Sequence, residues 1–238
     1  MKRALPATLA VAVAFGLAGC VIDFDQRSGP DQHETQSIDL DKAEMVRVEI
    51  KLGAGELTVD GGASKLMDGD FTYNIPSWKP SVKYTSSGFR GTLLIEQPGH
   101  SHGGSHVNYK WNVRLNDKVP LDISAEFGAG EARMNLGSLD LRSVRIEMGV
   151  GEVRVDLRGK PTRDYNVHIQ GGVGQATVYL PRDVGVVAKA AGGIGNISVH
   201  GLEKRGGGQY INPAHENAAV TIHLNVEGGV GEINLIAE

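Results

Sequence analysis

The chain has 238 residues, enough for one sizeable domain or two small ones. Its 33 glycines follow no three-residue period, which excludes a collagen-like triple helix and leaves them as turn markers. A formal net charge of -4 gives no electrostatic basis for nucleic-acid binding, and with few aromatics the core falls to Val, Ile and Leu.

Met1-Lys2-Arg3 is a short basic start, and Ala4 to Leu17 is an apolar run too short for a comfortable membrane span. It ends in Leu17-Ala18-Gly19-Cys20, with the chain's one cysteine. This arrangement resembles a bacterial lipoprotein signal peptide with its lipobox. The resemblance implies cleavage of residues 1–19, acylation of Cys20 and a lipid anchor on the extracytoplasmic side. Several acyl chains on one residue hold stably, since each buried methylene adds about 0.8 kcal/mol. With Val21 rather than Asp after the cysteine, a two-membrane host would sort such a protein to the outer membrane. The lack of a second cysteine rules out a disulfide framework.

Residues 20–44 read as an acidic flexible tether. Asp23, Asp25, Asp31, Glu34, Asp39, Asp41 and Glu44 face only Arg27 and Lys42, and little apolar surface offsets the entropy of ordering. From Met45 the texture changes. Val46, Val48, Ile50 and Leu52 alternate with Arg47, Glu49 and Lys51, the period of a half-buried strand. Further strands are expected near 70–74, 81–85, 92–97, 109–115 and 121–127, forming an N-terminal β segment (45–127) of cap or first rungs. Trp78, Trp111, Phe71, Tyr73, Tyr84, Phe89 and Tyr109 all fall in it, as a cap or a binding face.

From residue 128 to 238 one motif recurs. Gly128-Ala129-Gly130-Glu131 returns at Gly149-Val150-Gly151-Glu152, Gly172-Val173-Gly174-Gln175, Gly193-Ile194-Gly195-Asn196 and Gly229-Val230-Gly231-Glu232, with an outlying copy at Gly53-Ala54-Gly55-Glu56. The first three intervals are 21, 23 and 21 residues, the length of a solenoid rung; the last, 36, contains the loop 201–218. After each motif, apolar residues alternate with polar ones (Ala132, Met134; Val153, Val155; Ile197, Val199). The pattern predicts an all-β fold, a β-solenoid-like stack of short strands with Gly-x-Gly corners. Glycine supplies positive φ and close approach at the bend, and the middle residue is expected to point inward.

The segments Gly69-Asp70-Phe71-Thr72-Tyr73-Asn74, Lys79-Pro80-Ser81-Val82-Lys83-Tyr84, Trp111-Asn112-Val113-Arg114-Leu115-Asn116 and Gly128-Ala129-Gly130-Glu131 resemble the bacterial toast-rack family. That family is related to the C-terminal domain of LiaF-type cell-envelope stress proteins and to adhesin-like β-repeat domains. The resemblance implies a stack of strands, exported or membrane-attached, with no known catalytic residues. It supplies no ligand. Stress-sensor relatives carry transmembrane helices ahead of the domain, where this chain has only the lipobox.

Few side chains invite chemistry. His100, His102 and His106 form a Gly/Ser-rich loop that could hold Zn, Cu or Ni weakly. The column Glu131, Glu152, Gln175, Asn196, Glu232 could hold a hard cation, although its neutral members equally fit plain turn positions. No nucleophile elbow and no phosphate loop occurs, and Asp140 and Asp156 sit at ordinary strand and turn positions for a glycan hydrolase pair. The expectation is a non-enzyme without a cofactor, a scaffold for an envelope protein or glycan partner, with an envelope-stress regulator as the alternative. Self-association is left open. Breaks in the repeat, at 63–120 and 201–220, are where function is sought.

Overall fold

The computed structural model describes residues 28–99 and 107–238. Among them there is no α-helix, only strands and three short 3₁₀ turns. The strands are β1 (Gln32–Ile38), β2 (Met45–Asp60), β3 (Met67–Tyr73), β4 (Ser81–Ser87), β5 (Arg90–Glu96), β6 (Tyr109–Leu115), β7 (Leu121–Asn135), β8 (Leu141–Asp156), β9 (Tyr165–Leu180), β10 (Gly185–His200), β11 (Glu203–Arg205), β12 (Gln209–Ile211) and β13 (Thr221–Ala237).

Six long strands, each bent in the middle at a Gly-x-Gly, form the stack. Alternation decides which side chains enter the core. In β8, Val144, Ile146 and Met148 are buried before the bend, and Val153 and Val155 after it. The switch from even to odd positions marks the corner, so each strand has two arms with one shared inner side. A short turn leads back to the next rung. Between β7 and β8 it carries Leu136 and Leu139, both buried, with the Leu136 N–H bonded to the Asp156 carbonyl at 2.8 Å. Each buried Val, Leu or Ile contributes roughly 1.5–3 kcal/mol, against about 0–1 for an exposed ion pair. The stacked inner side chains therefore hold the fold, and the many surface Arg–Glu pairs do not.

The rungs run parallel and in register, in the order β2-β7-β8-β9-β13-β10. All six Gly-x-Gly copies lie in one column: Gly55 beside Gly130, then Gly151, Gly174, Gly231 and Gly195. The two glycines of a corner are required for different reasons. Gly130 has φ 134°, and a Cβ on it would collide with the Gly55 carbonyl oxygen. Gly128 has no positive φ, but its Cβ would collide with the Gly53 carbonyl.

The structure departs from the sequence expectations, or adds to them, at four points. First, the middle residues of the corners do not point inward: Val150, Val173, Val230 and Ile194 are 54%, 49%, 45% and 73% exposed. The tight glycine bend turns the residue between them out. Second, rung order is not sequence order. The last copy, on β13, inserts between β9 and β10, and residues 201–220 carry the chain from the end of β10 to the start of β13. Third, the division at 127/128 falls inside β7, so the 45–127 segment, which supplies cap strands and a first rung, β2, is continuous with the repeats in one sheet.

Fourth, most of the expected tether is folded. β1 pairs antiparallel with β3 over Gln32–Ile38, and its acidic neighbours are bound: Glu34 by Lys79 at 3.0 Å, Asp39 by Lys65 at 3.2 Å and Asp31 by Asn108 at 2.8 Å. Asp41 accepts hydrogen bonds from the Tyr84 hydroxyl (2.7 Å) and the Ala43 N–H (2.9 Å). Hydrogen bonds from Ser86, Tyr84 and Ala43 hold its carboxyl below the usual range. β1 is an edge strand without a buried face, so backbone pairing rather than hydrophobic alternation defines it. Cys20 and residues 20–27 lie outside the described residues.

Candidate interaction surface

The two ends of the stack differ, and the difference defines the candidate surface. At the N-terminal end both arms of β2 are covered. β5 and β4 extend the first arm, and β6, β3 and β1 extend the second. Phe71, Trp78, Tyr109 and Trp111 pack edge to face between them at centroid distances of 5.4–5.6 Å, all at most 2% exposed. These four aromatics thus form a cap core and not a binding face, while Phe89 is 68% exposed and lies outside it. Even the first corner is covered: the Gln97 side-chain oxygen accepts from the Gly53 N–H (2.8 Å) and the Ala54 N–H (3.4 Å), standing in for a preceding rung.

At the C-terminal end only one arm of β10 is covered. The excursion 201–220 brings β12 antiparallel against Val187–Lys189, with β11 outside it. Asn212, 1% exposed, fastens it. Its side-chain oxygen accepts from the Val186 N–H (2.9 Å), and its amide donates to the Val184 (2.6 Å) and Arg182 (3.2 Å) carbonyls. In the sequence Asn212-Pro213 marks only a turn in the loop 201–218; the anchoring role follows from the burial of the Asn212 side chain. Along the second arm, Ile194–His200, β10 pairs with β13 on one side and with no described strand on the other.

Behind this arm lies a cavity. The inward position just before each corner is Leu52, Phe127 and Met148 in the first three rungs, then Gly171, Gly228 and Gly192. Gly171 and Gly192 have no positive φ, and a Cβ on either would make only ordinary contacts, 3.8 Å or longer. Neither strain nor crowding requires them, and their effect is a gap of ≈ 70 Å³ lined by Met148, Ala176, Ile197 and Ile233. A pocket for a drug-sized ligand is roughly 300–1,000 Å³, so the gap itself is no small-molecule site.

The carboxylate column is aligned as expected, Glu56, Glu131, Glu152, Gln175, Glu232 and Asn196 in register. Three of its four carboxylates are met locally: Glu152 by Arg154 at 2.9 Å, Glu131 by Arg133, Glu56 by Lys110 at 3.1 Å. Among the described residues no group of three or more His, Cys, Asp or Glu side chains is placed to hold a metal ion. His100, His102 and His106 lie outside the described residues. Asp140 pairs with Arg163 at 3.0 Å and Asp156 with Arg158 at 2.6 Å, so neither is a free general acid or base. Burial pushes the Asp156 carboxyl up, and the Arg158 side chain and backbone N–H outweigh it to leave a lowered pKa. Arg158 also lies 4.9 Å over the Tyr179 ring and reaches Glu238.

A parallel, bent-strand stack with glycine corners and an aromatic cap is an all-β solenoid-like architecture of the kind the corner repeats predict. The chain belongs to the toast-rack family: the N-terminal domain of toast_rack, DUF2154, matches residues 27–179. The C-terminal region of LiaF, described as a cell wall-active antibiotics response protein, matches residues 129–235. Protein LiaF of Bacillus subtilis (strain 168) is 25% identical over 141 residues, covering 57% of each chain. This chain therefore spans little more than half the length of that relative. The crystal structure of a candidate cell adhesion protein from Clostridium sporogenes ATCC 15579 is 35% identical, with a TM-score of 0.85, over 88% of this chain and 100% of that one.

Proposed function

We propose that the protein is a non-enzymatic scaffold of the cell envelope, lipid-anchored through Cys20 on the extracytoplasmic side and presenting its stack to an envelope protein or glycan. The observation that carries this reading is a rigid stack in which Glu56, Glu131, Glu152, Asp140 and Asp156 are each paired with a neighbouring Arg or Lys side chain. Such a surface offers shape and backbone edges, with these five carboxylates already paired. The likeness to a candidate cell adhesion protein over most of the chain supports it. The anchor is tested by fractionating cells that express Cys20→Ala. Release of the protein from membranes is expected, and a variant that stays membrane-bound overturns the anchor.

A second reading is favoured by the match of residues 129–235 to the LiaF C-terminal region: the domain regulates an envelope-stress response through a membrane partner. Deleting the gene and following a bacitracin-induced reporter separates the two. An unchanged induction leaves the scaffold reading alone.

A further inference from the structure

Among the described residues the second arm of β10 ends the stack with its backbone edge open, and we infer that a second copy of the same chain covers it, by antiparallel pairing of Ile194–His200 with its own duplicate across a two-fold axis. This inference goes beyond the scaffold reading and does not depend on the anchor.

The open arm is unfinished core. Ile233 and Leu235 in β13 are 4% and 0% exposed, while their register partners Ile197 and Val199 in β10 are only half-buried, and Ile194 at the corner is 73% exposed. The chain closes every other end of the stack, with β5, β6 and β12. An open edge also presents unpaired N–H and C=O groups, which only another strand or water satisfies. A lipid surface offers hydrocarbon to Ile194 but no partner for those groups.

The charge pattern selects the occupant. The other outer strands carry charge on their edges: Glu34 in β1, Lys83 in β4, and Glu203, Lys204 and Arg205 in β11. Such charges blunt an edge against pairing. From Ala190 to Val199 there is no Asp, Glu, Lys or Arg. A strand that meets its own copy needs this neutrality, because like charges placed opposite each other destabilise the pair. With the axis at Ile197, Ile197 faces its duplicate, Asn196 faces Ser198, and Ile194 gains cover from His200. Pairing by this isologous contact closes at two copies and does not propagate.

The test is sedimentation equilibrium of the full chain in density-matched detergent, over a wide concentration series. The contact is small, at the weak end of stable interfaces, so the mass should rise from monomer to dimer with concentration. Asn196→Lys/Ser198→Lys puts like charges across the axis without touching the core, and should leave a folded monomer by circular dichroism. Ile194→Lys should do the same. Asn234→Lys lies on the same outer face one rung inward, on β13, and should dimerise as the parent does. A parent chain that remains monomeric throughout overturns the inference. So does a dimer that survives both edge variants, or one lost equally in Asn234→Lys.

Discussion

The N-terminal and C-terminal ends of the stack solve the same problem with different completeness. A solenoid rung cannot bury both of its faces, so its terminal rungs need covers. At β2 the cover is built from large aromatics, from strands on both arms and from the Gln97 side chain over the corner. At β10 it is the short strands β12 and β11, pinned by Asn212, and no described strand covers the second arm. Moreover, the inward residue before the corner shrinks from Leu, Phe and Met to Gly along the same direction. Stability is thus concentrated at the first end, and adaptability at the last.

The comparison breaks most sharply in the aromatic cap. Trp111→Ala removes a side chain that is 0% exposed and packed against Phe71 and Tyr109. It should cost about 3–5 kcal/mol in chemical denaturation; a loss below about 1 kcal/mol would mean that the cap is not a core. Next come the glycines. Gly130→Ala combines a positive φ with a backbone collision and should cost about 3 kcal/mol. Gly192→Ala has neither problem, and should be neutral or stabilise by about 0.4–1 kcal/mol through the unfolded chain. Equal effects at both sites would refute the distinction between corner and cleft glycines.

Asn212→Ala should cost about 2 kcal/mol, since it leaves the buried Val186 N–H and Val184 carbonyl without their side-chain partner. Hydrogen exchange should speed at the Val186 amide and remain slow in β2 and β7. The smallest expected effect is at Asp156. Its lowered pKa means that it stabilises the fold above the unfolded-state value near 3.8 and that this contribution is lost as pH falls through the folded value. The pair with Arg158 is partly exposed and screened, so the effect stays within about 1 kcal/mol. Asp156→Asn should flatten the loss of stability between neutral pH and pH 3, as followed by urea melts.

Strands were legible wherever they had one buried face. β2, β6 and the arms of β7, β8 and β13 alternate cleanly, and period two can only be satisfied by a strand with a core on one side. β1 was illegible, because Gln-His-Glu-Thr-Gln-Ser-Ile lacks that face and is held by backbone pairing and polar contacts. The corner side chains were misjudged for a related reason. An apolar residue between two glycines reads as core, but the bend that the glycines permit decides its direction, and it turns outward.

Composition and period alone determined the all-β class, the rung length and the glycine corners, because these depend on contacts between equivalent residues one repeat apart. The order of rungs, the asymmetric caps and the bare arm of β10 were decided only by the tertiary structure. Nothing in the repeat distinguishes one neighbour from another: any Gly-x-Gly rung can pair with any other. Which rungs meet, and which edge stays open, depends on the path of the connection 201–220 and on where Asn212 pins it.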